Sequence, residues 1–136
     1  MAAEVCVPIV TDVDVVTARS SGRALAEEAG FSGSDLTMIA TAISEVARNI
    51  LVFAGQGEVR IEAVEEDGRA GIEVVARDDG PGITDVELAL QDGYSTGHSL
   101  GLGLPGTRRL MDEFEIASAP GEGTTVTLRK WVRLAR

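Results

Sequence analysis

The chain has one cysteine, one histidine, one lysine and one tryptophan among its 136 residues. A lone cysteine excludes disulfides and cysteine-rich metal sites, and Cys6, set in an alternating run, is expected as a buried thiol. A lone lysine, Lys130 near the C-terminus, excludes a Walker-type phosphate loop, which needs a lysine beside its glycines. The eukaryotic-kinase runs V-A-I-K, H-R-D and D-F-G are missing as well. No stretch approaches the run of about 20 apolar residues that spans a bilayer, and the apolar start from Val5 to Val10 has neither a basic leader nor a cleavage-like site, so a cytoplasmic location is expected. Positive charge is scarce: 12 basic residues against 22 acidic ones leave a net charge of -10. That field repels nucleic acid and anionic membranes, and neither is expected as a partner. It repels a free polyanion too, so if a nucleotide binds, its charge has to be met locally by a cation, backbone N–H groups or arginines.

What remains is 44% hydrophobic and of a length suited to one core, so residues 1–136 are read as a single domain. Val5 to Val10 reads as a strand, and Asp12 as the cap of a helix that stops near Gly30. Ser32 or Ser34 opens a second helix whose apolar positions Leu36, Ile39, Ile43, Val46, Ile50 and Phe53 step by three and four until Gly55 ends it. Residues 58–65 and 70–76 form a hairpin around Glu66-Asp67-Gly68-Arg69. Next come a short helix over 85–91, a polar loop over 92–100 and a helix over 102–113. Strands 114–119 and 124–132 then close around Pro120-Gly121-Glu122-Gly123. This order predicts a two-layer α/β sandwich: a mainly antiparallel mixed sheet with helices on one face.

Three places carry candidate chemistry. Glu45 and Asn49 are four apart on the long helix, hence on one face, about 100 degrees from its apolar stripe by the helical period. Met38 and Ala42 share that flank and leave a small-residue surface where a ligand can dock. A solvated helix pair and a ligand-facing pair are both open readings. A carboxylate there can serve as a general base, and an amide oxygen is a hard donor suited to magnesium. The run Asp78-Asp79-Gly80-Pro81-Gly82-Ile83 is either a plain Gly/Pro turn or a turn whose glycines let the backbone approach a flat ligand, with Asp78 accepting from an exocyclic amine. Residues 93–106 hold five glycines before a helix, an arrangement that aims N–H groups at phosphate. Gly101-Leu102-Gly103-Leu104-Pro105-Gly106 matches the dinucleotide fingerprint G-x-G-x-x-G, but it comes after a polar loop rather than a first strand, so that reading is rejected.

Glu45-x-x-x-Asn49, Asp78-x-Gly80-x-Gly82, the glycine loop 97–104 and Gly121-x-Gly123-Thr124, in this order and spacing, resemble the N, G1, G2 and G3 boxes of the GHKL (Bergerat-fold) superfamily. At this length the added domains of gyrases, chaperones or histidine kinases are not expected. The runs TAISEVARNILVFAG, DDGPGI, LGLGLPGTRRLMDEFEI and GEGTTV resemble the RsbT-type switch serine/threonine kinases of bacterial stress signalling. The resemblance implies Mg-ATP as the nucleotide and Glu45 as catalytic base. It makes Asn49 the magnesium ligand, Asp78 the adenine contact with Gly80, Gly82 and Ile83 beside it, and Thr124 a second adenine-side contact. Gly97, Ser99, Leu100, Gly101, Leu102, Gly103 and Leu104 would form a phosphate-covering lid. His98 stands where a basic residue is often found in that lid, and a plain loop histidine is an equal reading. The implied activity is phosphorylation of a serine or threonine on a STAS-domain antagonist, with a PP2C-type phosphatase as a second partner activated by the released kinase. The rival implication is a non-catalytic anti-sigma factor or phosphatase activator that holds nucleotide and acts by sequestration.

Overall fold

The computed structural model describes residues 3–82 and 103–133. The elements in chain order are β1 (Glu4–Ile9), α1 (Asp12–Ala29), α2 (Ser34–Phe53), β2 (Gly57–Glu66), β3 (Arg69–Asp78), α3 (Gly103–Leu110), β4 (Glu113–Ser118) and β5 (Thr124–Trp131). The expected helix over 85–91 and loop over 92–100 lie outside the described residues.

A strand alternates its side chains between two faces, so one apolar set per strand selects the buried side. Val7 and Ile9, Val59 and Ile61, Ile72, Val74 and Ala76, and Val126 and Leu128 are all buried. The register brings them into rows: Val7 faces Val59, Val59 faces Ala76, and Ala76 faces Val126. Above these rows lies the α2 stripe, with Leu36, Ile39, Ile43, Val46 and Ile50 buried. Each fully buried Ile or Val contributes about 1.5–3 kcal/mol. Phe53 departs from the expected stripe at 41% exposed, because α2 there runs one turn past Ile50, which packs beside the first residue of β2.

The strand order is β1-β2-β3-β5-β4. Among the described residues all four pairings are antiparallel, in place of the partly mixed sheet expected. The helix hairpin explains the first of them: each helix reverses the chain, and two reversals return it to the end of β1 it left, so β2 must run back. The β2–β3 turn is the expected Asp67-Gly68, with φ of 54° and 80°, as a two-residue hairpin requires.

Several local expectations are corrected. Thr11, not Asp12, occupies the cap of α1, and the Asp14 carboxylate accepts the Val10 and Thr11 N–H groups at 2.8 and 2.9 Å. Helix α3 stops at Leu110, short of 113, because β5 takes up the backbone and carbonyl groups at its end. Lys130 donates to the Leu110 carbonyl at 2.9 Å, and the Asp112 N–H bonds the Arg129 carbonyl. Cys6 is exposed rather than buried, since inward-facing Val7 and Ile9 put the residues that alternate with them on the open face. Helix α2 is long and apolar enough to cross a bilayer by length and composition, contrary to the expectation that no stretch is, but half of it is buried against its own sheet and helices.

Two outcomes test these local structures. The Val10 and Thr11 N–H groups hold the Asp14 carboxyl below the usual aspartate range. The stability this adds is present above the unfolded-state pKa and is lost as pH falls through the lowered folded value. Asp14→Asn should therefore lower the thermal midpoint at pH 7, and the difference from the wild type should vanish as pH falls through the lowered folded value, as read by calorimetry across pH. Desolvation, the Glu58 charge and the bond to Glu58 push the Cys6 thiol up. Its alkylation by iodoacetamide should have a pH midpoint above that of a free thiol, and Glu58→Gln should move that midpoint down.

Candidate active site

The last core-facing row of the sheet changes chemistry. Ile9 faces Gly57, Gly57 faces Asp78, Asp78 faces Thr124, and Thr124 faces Ser118. Rows that are apolar further in thus end in a carboxylate and two hydroxyls, all half-buried. Gly57 lets this happen: a Cβ there would collide with the Arg77 carbonyl and lie 2.8 Å from Ile50 Cγ2 and 3.1 Å from Asp78 Cβ. Ile50, the neighbour of Asn49, and Asp78 therefore meet over a residue without a side chain.

Asp78 Oδ1 accepts the Gly80 N–H at 2.9 Å, which bends the chain out of β3. The nearby glycines also let the chain pack closely on itself. Gly82 and Gly123, at φ of 80° and 78°, would direct a Cβ into the backbones of Ala119 and Asp78. Gly80 packs against Ala54, at the end of α2. The Gly121 N–H ties the two loops by donating to the Pro81 carbonyl at 2.7 Å. Thr124 is held by Ser118, whose hydroxyl lies 2.8 Å from Thr124 Oγ1 and donates to the Gly123 carbonyl at 3.0 Å.

Glu45 is 9% exposed, and Arg48 donates to its Oε1 at 3.0 Å. It is a buried carboxylate with one partner one turn on, not a solvated one. Asn49 is half-buried. Of the small-residue flank expected beside them, Ala42 is fully buried and Met38 half-buried. Leu104 is half-buried in the first turn of α3, which opens with Gly103 and packs on α2. Ile83, Gly97, Ser99, Leu100, Gly101 and Leu102 lie outside the described residues, as does His98.

Among the described residues no three His, Cys, Asp or Glu side chains cluster to hold a metal. The Asn49 amide is one hard oxygen donor, which fits an ion such as magnesium that takes one or two protein ligands and completes its shell with water and phosphate. Sequence reasoning missed two residues. Arg48 was signalled by its i,i+3 spacing to Glu45. Ser118 was hidden by turn length: a four-residue turn opposes Ala119 to Thr124, whereas the actual connection, 119–123, opposes Ser118.

Residues 10–130 match the histidine kinase-like ATPase domain family. The chain is 50% identical over 128 residues to the serine/threonine-protein kinase RsbT of Bacillus subtilis, covering 94% of this chain and 96% of that one. It is 36% identical over 104 residues to an anti-sigma F factor of Caldanaerobacter subterraneus, covering 72% and 71%. A solved structure, the histidine kinase domain of the E. coli osmosensor EnvZ, matches 74% of this chain and 68% of that one at 25% identity and a TM-score of 0.45. With the family matched over most of its length and a relative at 50% identity across nearly all of it, the chain belongs to the histidine kinase-like ATPase domain family.

Proposed function

We propose that the chain is an ATP-dependent protein serine/threonine kinase whose catalytic base is Glu45. The observation that carries this reading is the buried Glu45 carboxylate, one helical turn from Asn49 and held by Arg48. A site built only to hold nucleotide needs no such carboxylate at its edge. The 50% identity to RsbT supports the same activity.

In this reading Asp78 and Thr124 hold the adenine end of ATP at the last row of the sheet, with Gly80, Gly82 and Ile83 beside them. The segment from Gly97 to Leu104 covers the phosphates. Magnesium would be held by Asn49 and phosphate oxygens, and it supplies neutralisation of the phosphate charge that a chain of net charge -10 does not offer. Glu45 takes the proton from the acceptor hydroxyl as its oxygen bonds to the γ-phosphorus. The bond to the β,γ-bridging oxygen breaks, and ADP leaves. The acceptor is a serine or threonine on a STAS-domain antagonist, and a PP2C-type phosphatase is the partner that the released kinase activates.

A second reading has a specific observation behind it: related chains are anti-sigma F factors. There the chain would hold nucleotide and act by sequestering a protein.

Two experiments test these assignments. Asp78→Asn removes a charged acceptor, a loss of about 1.5–3 kcal/mol, so ATP affinity measured by calorimetry should fall about tenfold or more. Unchanged affinity removes Asp78 from the site. Glu45→Ala should abolish transfer from labelled ATP to a STAS-domain protein while nucleotide affinity and pull-down of that protein stay near wild type. Asn49→Ala should lose Mg-ATP affinity and transfer together. Transfer at the wild-type rate by Glu45→Ala would refute the base assignment, and a wild type that binds ATP without transfer would favour sequestration.

A further inference from the structure

We propose that Ser118 fixes the direction of the Thr124 hydroxyl proton and thereby makes the pocket selective for a purine that carries an amine where hypoxanthine and guanine carry a carbonyl. The inference rests on the reading that Asp78 and Thr124 meet the nucleotide base. A serine hydroxyl has one hydrogen to give. Ser118 gives its hydrogen to the Gly123 carbonyl at 3.0 Å. In the 2.8 Å contact between the two hydroxyls, the hydrogen therefore comes from Thr124. Thr124 Oγ1 is left with lone pairs alone for a ligand.

Asp78 is the cross-strand neighbour of Thr124, and a carboxylate also offers only lone pairs. One of its oxygens already accepts the Gly80 N–H at 2.9 Å. Two acceptors then stand side by side at the end of the sheet. They suit an amine, as on adenine, and oppose a carbonyl at the same position, as on hypoxanthine or guanine. The polarity is not free to adjust. Turning the Thr124 proton toward a ligand breaks its bond to Ser118, and Ser118 is tied in turn to a carbonyl fixed where Gly123 packs on the Asp78 backbone. A site that hydrogen-bonds one edge of its ligand rejects the analogue with the reversed edge, because buried groups are left unpaired.

The test is calorimetric titration of the full chain with Mg-ATP and with the magnesium complex of inosine triphosphate, whose base carries a carbonyl in place of the amine. Wild type should prefer ATP. In Ser118→Ala the Thr124 proton is freed to reach that carbonyl, and the ATP-to-inosine preference should fall about five- to tenfold, the size of one neutral hydrogen bond. Ser118→Thr, which keeps the hydroxyl, should retain the wild-type ratio. A merely structural role would weaken both nucleotides by one factor, and that result, or an unchanged ratio, overturns the proposal. Should Ser118→Ala fail to fold, Thr124→Val serves: it removes the acceptor and should lower the ratio by a similar factor, and an unchanged ratio there is equally fatal. A wild type that binds both nucleotides equally sinks the adenine reading along with the inference, whereas a selective wild type with a selective Ser118→Ala sinks the inference alone.

Discussion

Burial of the α2 stripe against β2 and β3 is the contact on which the rest of the structure depends. Ile39, Ile43, Val46 and Ile50 form the upper half of the core, and Val59, Ile61, Ile72 and Val74 form the lower half. Because a helix turns its residues through all directions, seating this stripe also determines where the others go. Glu45 and Asn49 fall on a flank at the edge of the core, and a carboxylate becomes largely buried there without being central. Arg48 supplies its partner from the same helix, so the pair needs no other element to hold it.

The sheet contributes the second half of the site through its register. Each antiparallel pairing aligns the core-facing residues of neighbouring strands, so the polar ends of three strands, Asp78, Thr124 and Ser118, fall in one row. A one-residue slip in either pairing would turn one of them to the open face. The loops beyond the row protect that register. Gly82 and Gly123 allow backbone contacts that a side chain would block, which makes the glycines part of the frame that holds the aspartate and threonine.

The open face handles the surplus of negative charge. Glu4, Glu62, Glu73, Arg129 and Glu113 form one continuous cross-strand row. Like charges opposite one another destabilise a sheet, and Arg129 offsets this by bonding Glu73 at 2.7 Å and Glu113 at 3.1 Å. The indole of Trp131, together with Arg129, holds the Glu113 carboxyl below its ordinary range. The acidic excess of this row therefore sits on the face away from the helices, where it does not compete with the candidate nucleotide site.

Periodicity and turn chemistry in the sequence were enough for the two long helices, the Asp-Gly hairpin, the closing strands and the order of the layers, since each of these is a local pattern repeated over many residues. Glu45, Asn49 and Asp78 could also be singled out from residue type and spacing, and Thr124 through the resemblance of Gly121-x-Gly123-Thr124 to a family box. What spacing could not supply was burial and direction. Glu45 and a solvated glutamate have the same helical position until α1, α3 and the sheet surround the helix, and Cys6 and a core thiol differ only by which neighbours face inward. The end of α3 was set by Lys130, twenty residues further along the chain. The partner of Thr124 was set by a turn one residue longer than its glycines suggest. These were decided by contacts between segments distant in sequence, whose energies no local pattern records.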